Sequence, residues 1–101
     1  MSTAAVQAGA ITFELPGALR PYAGGLATVA CEDAGTTVGD ALHTLHALHP
    51  GVVERVLDEP GDVRRHVNVF VDGENIRFLD GLRTPLPAAA TITIIAAVSG
   101  G

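Results

Sequence analysis

The side chains able to do chemistry are few. Three histidines recur at three-residue intervals, His43, His46 and His49. On a helix an i, i+3 pair can share a ligand. Successive steps of about 300° wind three such residues away from one another, so a tight metal face is not expected. His43 points away from the Leu42/Leu45 stripe, and His49 lies near the helix end, where a charged imidazole interacts well with the dipole. His66 stands beside Arg64 and Arg65 before a strand and reads as structural or surface. The single thiol, Cys31, ends an apolar strand. A lone cysteine there is ordinarily a small buried hydrophobe, and the alternative, a nucleophile, needs a base that the sequence does not assign. Asp58, Glu59 and Asp62 surround Pro60-Gly61 and read as solvated turn charge rather than a general acid/base pair. Neither G-x-x-x-x-G-K-[ST] nor G-x-S-x-G occurs. No catalytic residue and no metal ligand is therefore assigned.

The remaining chemical group is the main-chain carboxylate. The sequence closes Ala96-Ala97-Val98-Ser99-Gly100-Gly101, an uncharged spacer and a diglycine directly after a β-branched run. Extended, such a tail advances about 3.3 Å per residue. Lacking β-carbons at its end, it can enter a narrow channel in another protein. The carboxylate of Gly101 then becomes the functional group, with Gly100, Ser99 and Val98 as the threading segment.

These groups must be positioned by a small scaffold. Residues 1–9 show no periodicity and read as an N-terminal extension. Ile11–Leu15 alternates as a half-buried strand that Pro16-Gly17 ends. Gly24-Gly25 marks a turn, and Leu26–Cys31 returns as a second strand. Thr37 is a helix N-cap with Asp40 three residues on, where a capping box more often carries Glu or Gln. Val38, Ala41, Leu42, Leu45 and Leu48 recur on one helical face, and Pro50-Gly51 stops the helix. Val52, Val53, Val56 and Leu57 suit a short second helix or helical turn. Val67–Val71 is the clearest strand. Asp72-Gly73 follows as a hairpin turn, with Asn75–Leu79 as a short partner strand. Pro85 and Pro87 keep their segment out of a sheet interior, and Thr91–Ile95 is the last strand. The order ββ, helix, βββ predicts an α+β roll with one sheet face covered. Val67, Val69 and Val71 then share the covered face, while Phe70 and Ile95 lie on the other. Two readings stay open for that pair: contact with a partner protein, or cover by loops or the N-terminal extension.

Composition sets the outer limits. With 101 residues there is room for one core, and 48% hydrophobic but only 4% aromatic residues require Val, Leu, Ile and Ala to build it. One cysteine excludes an internal disulfide and multi-cysteine zinc or iron–sulfur ligation. No stretch approaches the ~20 apolar residues of a membrane span. The N-terminus lacks a signal-peptide pattern, so a cytoplasmic location is expected. The net charge is −5, against a phosphate-backbone ligand. All six cations are arginine, so no side-chain amine is available for Schiff-base or isopeptide chemistry.

Three blocks taken together carry a family resemblance: Leu19-Arg20-Pro21 with Gly24-Gly25; Thr37-Val38-Gly39 with Pro50-Gly51 and Glu54-Arg55; and Arg65 through Val71, Ile76-Arg77-Phe78, Gly81-Leu82 and Ile94 through Gly101. On these residues the sequence resembles the ThiS/MoaD family of ubiquitin-like sulfur carriers, and within it the CysO-type cysteine-biosynthesis branch. The resemblance implies a ubiquitin-like β-grasp over residues 10–98. Its mixed sheet would have about five strands and one main helix, with the first and last strands parallel and central, and residues 99–101 would form a flexible tail. It also implies that a ubiquitin-activating-type partner uses ATP to adenylate Gly101 and that a sulfur donor converts it to a thiocarboxylate, the chain itself binding no cofactor. A pyridoxal-phosphate-dependent cysteine synthase as sulfur acceptor and a zinc-dependent JAMM-type peptidase are implied as further partners. Relatives deliver sulfur to thiamine, molybdopterin or natural products. By the same resemblance Phe70 falls in the sheet region that often faces partners. Two other readings are a ubiquitin-like modifier conjugated through Gly101, and an interaction module with an inert tail.

Overall fold

The structure, a computed structural model, describes residues 10–96. Seven elements carry it: β1 Ile11–Glu14, β2 Thr28–Cys31, α1 Val38–Leu48, α2 Pro50–Val56, β3 Val67–Val71, β4 Glu74–Asn75 and β5 Thr91–Ala96. Three 3-10 turns lie between them, at Gly17–Ala23, Ile76–Phe78 and Gly81–Arg83. The strands form one mixed sheet in the order β2-β1-β5-β3-β4. β1 and β5 run parallel with Phe13 opposite Ile92, and the other pairings are antiparallel. The first and last strands are thus parallel neighbours, with β5 in the centre, which is the β-grasp arrangement.

Burial alternates along the strands. Val67, Val69 and Val71 in β3 and Ile92 and Ile94 in β5 are buried, while Phe70 and Thr93 are half-buried and Ile95 is exposed. The helices therefore cover one face. Phe13 is the one aromatic in the core, and aliphatic residues, chiefly from β3, β5, α1 and α2, fill the rest.

Local chemistry accounts for most element boundaries. The Thr37 hydroxyl accepts from the Asp40 N–H at 3.1 Å, and Asp40 Oδ2 accepts from the Thr37 N–H at 3.2 Å and the Thr36 N–H at 3.0 Å. Aspartate thus closes a full reciprocal box. Gly35 makes it possible: its φ is +90°, and a β-carbon there would overlap Asp40. The Asp72-Gly73 turn has φ of 49° and 89°, as a two-residue I′ hairpin requires.

Three expectations need correction. Leu48 is 53% exposed, because α1 ends there and His49 redirects the chain. Val52, Val53 and Val56 of α2 take the next core positions. Pro50 opens α2 at its first turn as well as ending α1, a position where its missing N–H costs nothing. The second strand begins at Thr28, two residues later than expected, leaving Leu26 exposed beyond the Gly24-Gly25 turn. The partner strand of the hairpin has two residues, Glu74–Asn75. The Asn75 side chain accepts from the Arg77 N–H at 2.9 Å, winding Ile76–Phe78 into a 3-10 turn that buries Ile76.

The Asp40 box also has a pH signature. The Thr36 N–H first, with hydrogen bonds from Thr37 and the Thr36 hydroxyl, holds the Asp40 carboxyl below its ordinary value of 3.8, against desolvation, which is the second-largest effect and acts to raise it. A depressed folded-state pKa stabilises the fold above the unfolded value, and that contribution is lost as pH falls through the folded one. Urea midpoints measured downward from about pH 5 are expected to fall with acid, and Asp40→Asn is expected to remove part of that slope.

Candidate functional site

The site follows from where β5 ends. Val67 faces Ala96 on the β3 side, and Glu14 pairs with Thr93 on the β1 side, so β5 ends beside the end of β1 and the start of β3. Val98, Ser99, Gly100 and Gly101 lie outside the described residues. What the fold does place is the strand that delivers them. It is the central strand, paired with β1 as far as Thr93 and with β3 as far as Ala96.

The sheet face turned away from the helices flanks this exit. Two side-chain pairs cross it: the Asn75 side-chain amide donates to Asn68 Oδ1 at 3.1 Å, and the Thr93 hydroxyl donates to Glu14 Oε1 at 2.9 Å. Ile95 stands opposite Asn68 and is 48% exposed, and Phe70 stands opposite Thr93 and Asn75. Among the described residues nothing covers Ile95 fully, whereas Phe70 is half-buried. The expected pair therefore does share one face, with Ile95 the more open member. A shallow hollow beside Ile95 is lined by Glu14, Pro16, Arg20, Thr28 and Thr93.

The other chemical candidates are dispersed. His43 and His46 are exposed on α1, His49 caps it, and His66 is exposed before β3. No group of three or more His, Cys, Asp or Glu side chains is placed to hold a metal among the described residues. Asp58 Oδ1 accepts from the Gly61 and Asp62 N–H groups at 3.1 and 2.8 Å, so this acidic loop is a turn device. Cys31 is 1% exposed at the end of β2, and burial pushes its thiol pKa up. It is a core residue, as its place at a strand end suggested. In native protein Cys31 is expected to resist alkylation by iodoacetamide and to react promptly in urea, as read by intact mass.

Two features escaped the sequence reading. Phe78, at the end of the 3-10 turn beyond β4, is 82% exposed, and Leu79, which caps that turn, is 43% exposed. The Asn75 side chain at the cap position was the available signal. The second is the company around the exit of β5: the Arg20 Nε–H donates to the Leu15 carbonyl at 3.1 Å, and Arg77 donates to the Val67 carbonyl at 3.3 Å. Only the tertiary register brings those arginines together.

Comparison with known proteins bears on this site. The family model described as the ThiS family matches residues 13–101. The chain is 38% identical over 93 residues to the sulfur carrier protein CysO of Mycobacterium tuberculosis, covering 90% of this chain and 98% of that protein. It is 36% identical to the small archaeal modifier protein 3 of Haloferax volcanii, over 68% of this chain and 74% of that one. Its fold matches a chain of the crystal structure of the Amycolatopsis orientalis BexX/CysO complex with a TM-score of 0.81 and 33% identity, over 90% of this chain and 99% of the other.

Proposed function

The chain belongs to the ThiS family and is a sulfur carrier of that type, and from this premise we propose that Gly101 carries the sulfur as a thiocarboxylate destined for cysteine. One observation carries the reading: the family match runs through Gly101, so the diglycine, which closes five residues beyond the end of the central strand in sequence, belongs to the matched region. A carboxylate is a poor electrophile. Attack of the Gly101 carboxylate on the α-phosphorus of ATP, in a partner enzyme of the ubiquitin-activating type, forms an acyl-adenylate and releases pyrophosphate. A sulfide equivalent adds to the acyl carbon, AMP leaves, and the thiocarboxylate remains. The thiocarboxylate stays ionised near neutrality, and its anionic sulfur is the nucleophile, as with thiolates. ATP is the partner's substrate; this chain supplies the acyl group and the surface that presents it.

The identity with a CysO protein supports a cysteine end product. On that reading the sulfur takes the place of the leaving group on the β-carbon of an activated serine held by a pyridoxal-phosphate-dependent synthase. The Gly101 acyl group passes from sulfur to the amine of the new cysteine, and a JAMM-type peptidase hydrolyses that amide to release cysteine and the Gly101 carboxylate. The complex named in the Amycolatopsis structure supports a carrier that docks onto a partner protein. Phe70 and Ile95 are the proposed contact surface. Ile95→Glu is expected to lower the efficiency of partner-dependent conversion about tenfold or more, through a charge desolvated at the contact. Urea midpoints should barely move, since the side chain already meets water.

The test of the carrier reading is tandem mass spectrometry of the C-terminal peptide from the native host. Sulfur in place of one Gly101 oxygen, or cysteine attached there, is expected. Fragmentation separates either from oxidation at Met1 or Cys31. A carboxylate that stays unmodified with ATP, sulfide and the host's adenylating enzyme would overturn the reading. The similarity to an archaeal modifier protein favours a second one, conjugation of Gly101 to other proteins. Since this chain has no lysine, lysine-linked self-chains are excluded. High-molecular-weight conjugates that persist without the cysteine pathway would identify that reading.

A further inference from the structure

Charge is distributed unevenly along the sheet. Where β5 begins, carboxylates gather. Glu32 and Asp33 follow the end of β2, Glu74 pairs with Val71 at the end of β3, and Asp72 Oδ1 accepts from the Thr91 N–H at 2.9 Å. Where β5 ends, the cations gather. Arg20 is tied to the Leu15 carbonyl just past β1 and lines the hollow beside Ile95. Arg77 is tied to the carbonyl of Val67, the register partner of Ala96, and shares a groove with Arg65. All three arginines are exposed. The hydrogen bonds of Arg20 and Arg77 go to carbonyls, which orient the guanidinium groups without neutralising them. Carboxylates border the same region too: Glu14, which receives the Thr93 hydroxyl, Asp62 in the Arg65 groove, Asp58, whose Oδ1 accepts from the Asp62 N–H, and Glu54 and Glu59 beside the neighbouring Arg64. In a chain of net charge −5, half of the arginines thus stand around the exit of the one strand that leads to the tail.

From this placement we infer that Arg20, Arg65 and Arg77 form a cationic collar that docks on an acidic rim around the channel of the enzyme that adenylates Gly101. The inference rests on the carrier reading above. The five residues after Ala96 span at most about 17 Å when extended. An enzyme that holds the terminal carboxylate must therefore bring the surface around its channel mouth close to the collar. At physiological salt charges act over about 8 Å, so the collar and that rim feel one another while the opposite, acidic end of the sheet is screened. A rim of carboxylates would attract the collar, whereas a net-negative chain approaching in any other orientation would be repelled. The collar thus orients the encounter so that the tail arrives first. Charges of this kind act mainly on association and on its salt dependence.

The experiment is ATP–pyrophosphate exchange by the host's own ubiquitin-activating-type enzyme, with full-length chain as the variable substrate at low and high salt. The triple variant Arg20→Gln, Arg65→Gln, Arg77→Gln is expected to raise KM for the chain about tenfold at low salt with little change in kcat, and to flatten the salt dependence. Arg65→Gln alone, an exposed residue, is expected to show a smaller shift in the same direction and guards against a folding defect in the triple variant. Glu32→Gln with Glu74→Gln, at the far end, is expected to leave KM within about twofold. An unchanged KM in the single and triple variants, or an equal shift from the far-end variant, overturns the collar while leaving the carrier reading intact. No exchange with the wild-type chain removes the carrier reading, and the collar's role with it.

Discussion

Deleting Gly100 and Gly101 is expected to abolish conversion of the C-terminus while leaving the fold untouched. The reacting atoms of an acyl transfer must meet within about 3–3.5 Å, and a misplacement of about 1 Å can cost a hundredfold. Removing two residues withdraws the carboxylate by about 7 Å. The remaining end, Ser99, also carries a β-carbon where the proposed channel admits none. A loss of more than about a hundredfold in pyrophosphate exchange and in thiocarboxylate yield is therefore expected. The urea midpoint should not shift, because β5 makes its ladder with β1 and β3 by Ala96, before the deletion begins. Unchanged activity in the deletion variant would mean that the tail is inert and that the chain works as an interaction module.

Replacing Phe13 with alanine is expected to produce the largest loss of stability from any single side chain. Phe13 is fully buried, lies on β1 between β2 and β5, and stands opposite Val29 on one side and Ile92 on the other. Removing a buried phenyl ring costs about 3–5 kcal/mol, part transfer energy and part the cavity left behind. A domain of this size has about 5–15 kcal/mol in total, so the variant would be marginally folded or unfolded at 25 °C. Phe78→Ala is the internal comparison. The side chain is 82% exposed, and the substitution should stay within about 0.5 kcal/mol. Urea unfolding of the two variants side by side checks both. Equal midpoints would mean that Phe13 does not occupy the core position described.

The expectations that held were those written in short stretches of chain. The helix N-cap at Thr37 with Asp40 in the first turn, the Asp72-Gly73 hairpin turn and the alternation in Val67–Val71 each depend on residues within four positions of one another. The same locality made Cys31 readable as core, since an alternating strand buries every second residue. The misses came where a local pattern competed with something distant. Leu48 continues the helical stripe in sequence, yet the stripe is useful only as far as the sheet extends beneath it, and α2 takes over. Asn75–Leu79 is apolar enough for a strand, but burying Ile76 through a side-chain-capped turn satisfied the backbone instead.

The site divides along the same line. From the sequence come the chemical group, a terminal carboxylate behind two glycines, the exclusion of lysine chemistry, and the faces on which Phe70 and Ile95 fall, because residue type and the two-residue period of a strand are local properties. The central, parallel placement of β5 beside β1 was implied by the family resemblance and not by any local pattern; the tertiary structure alone decided that Ile95 is open while Phe70 is half-covered, and that arginines 45 and 57 residues apart from Arg20 gather with it at one end of the sheet. Those outcomes depend on strand register, and register is set by how distant segments share one buried face.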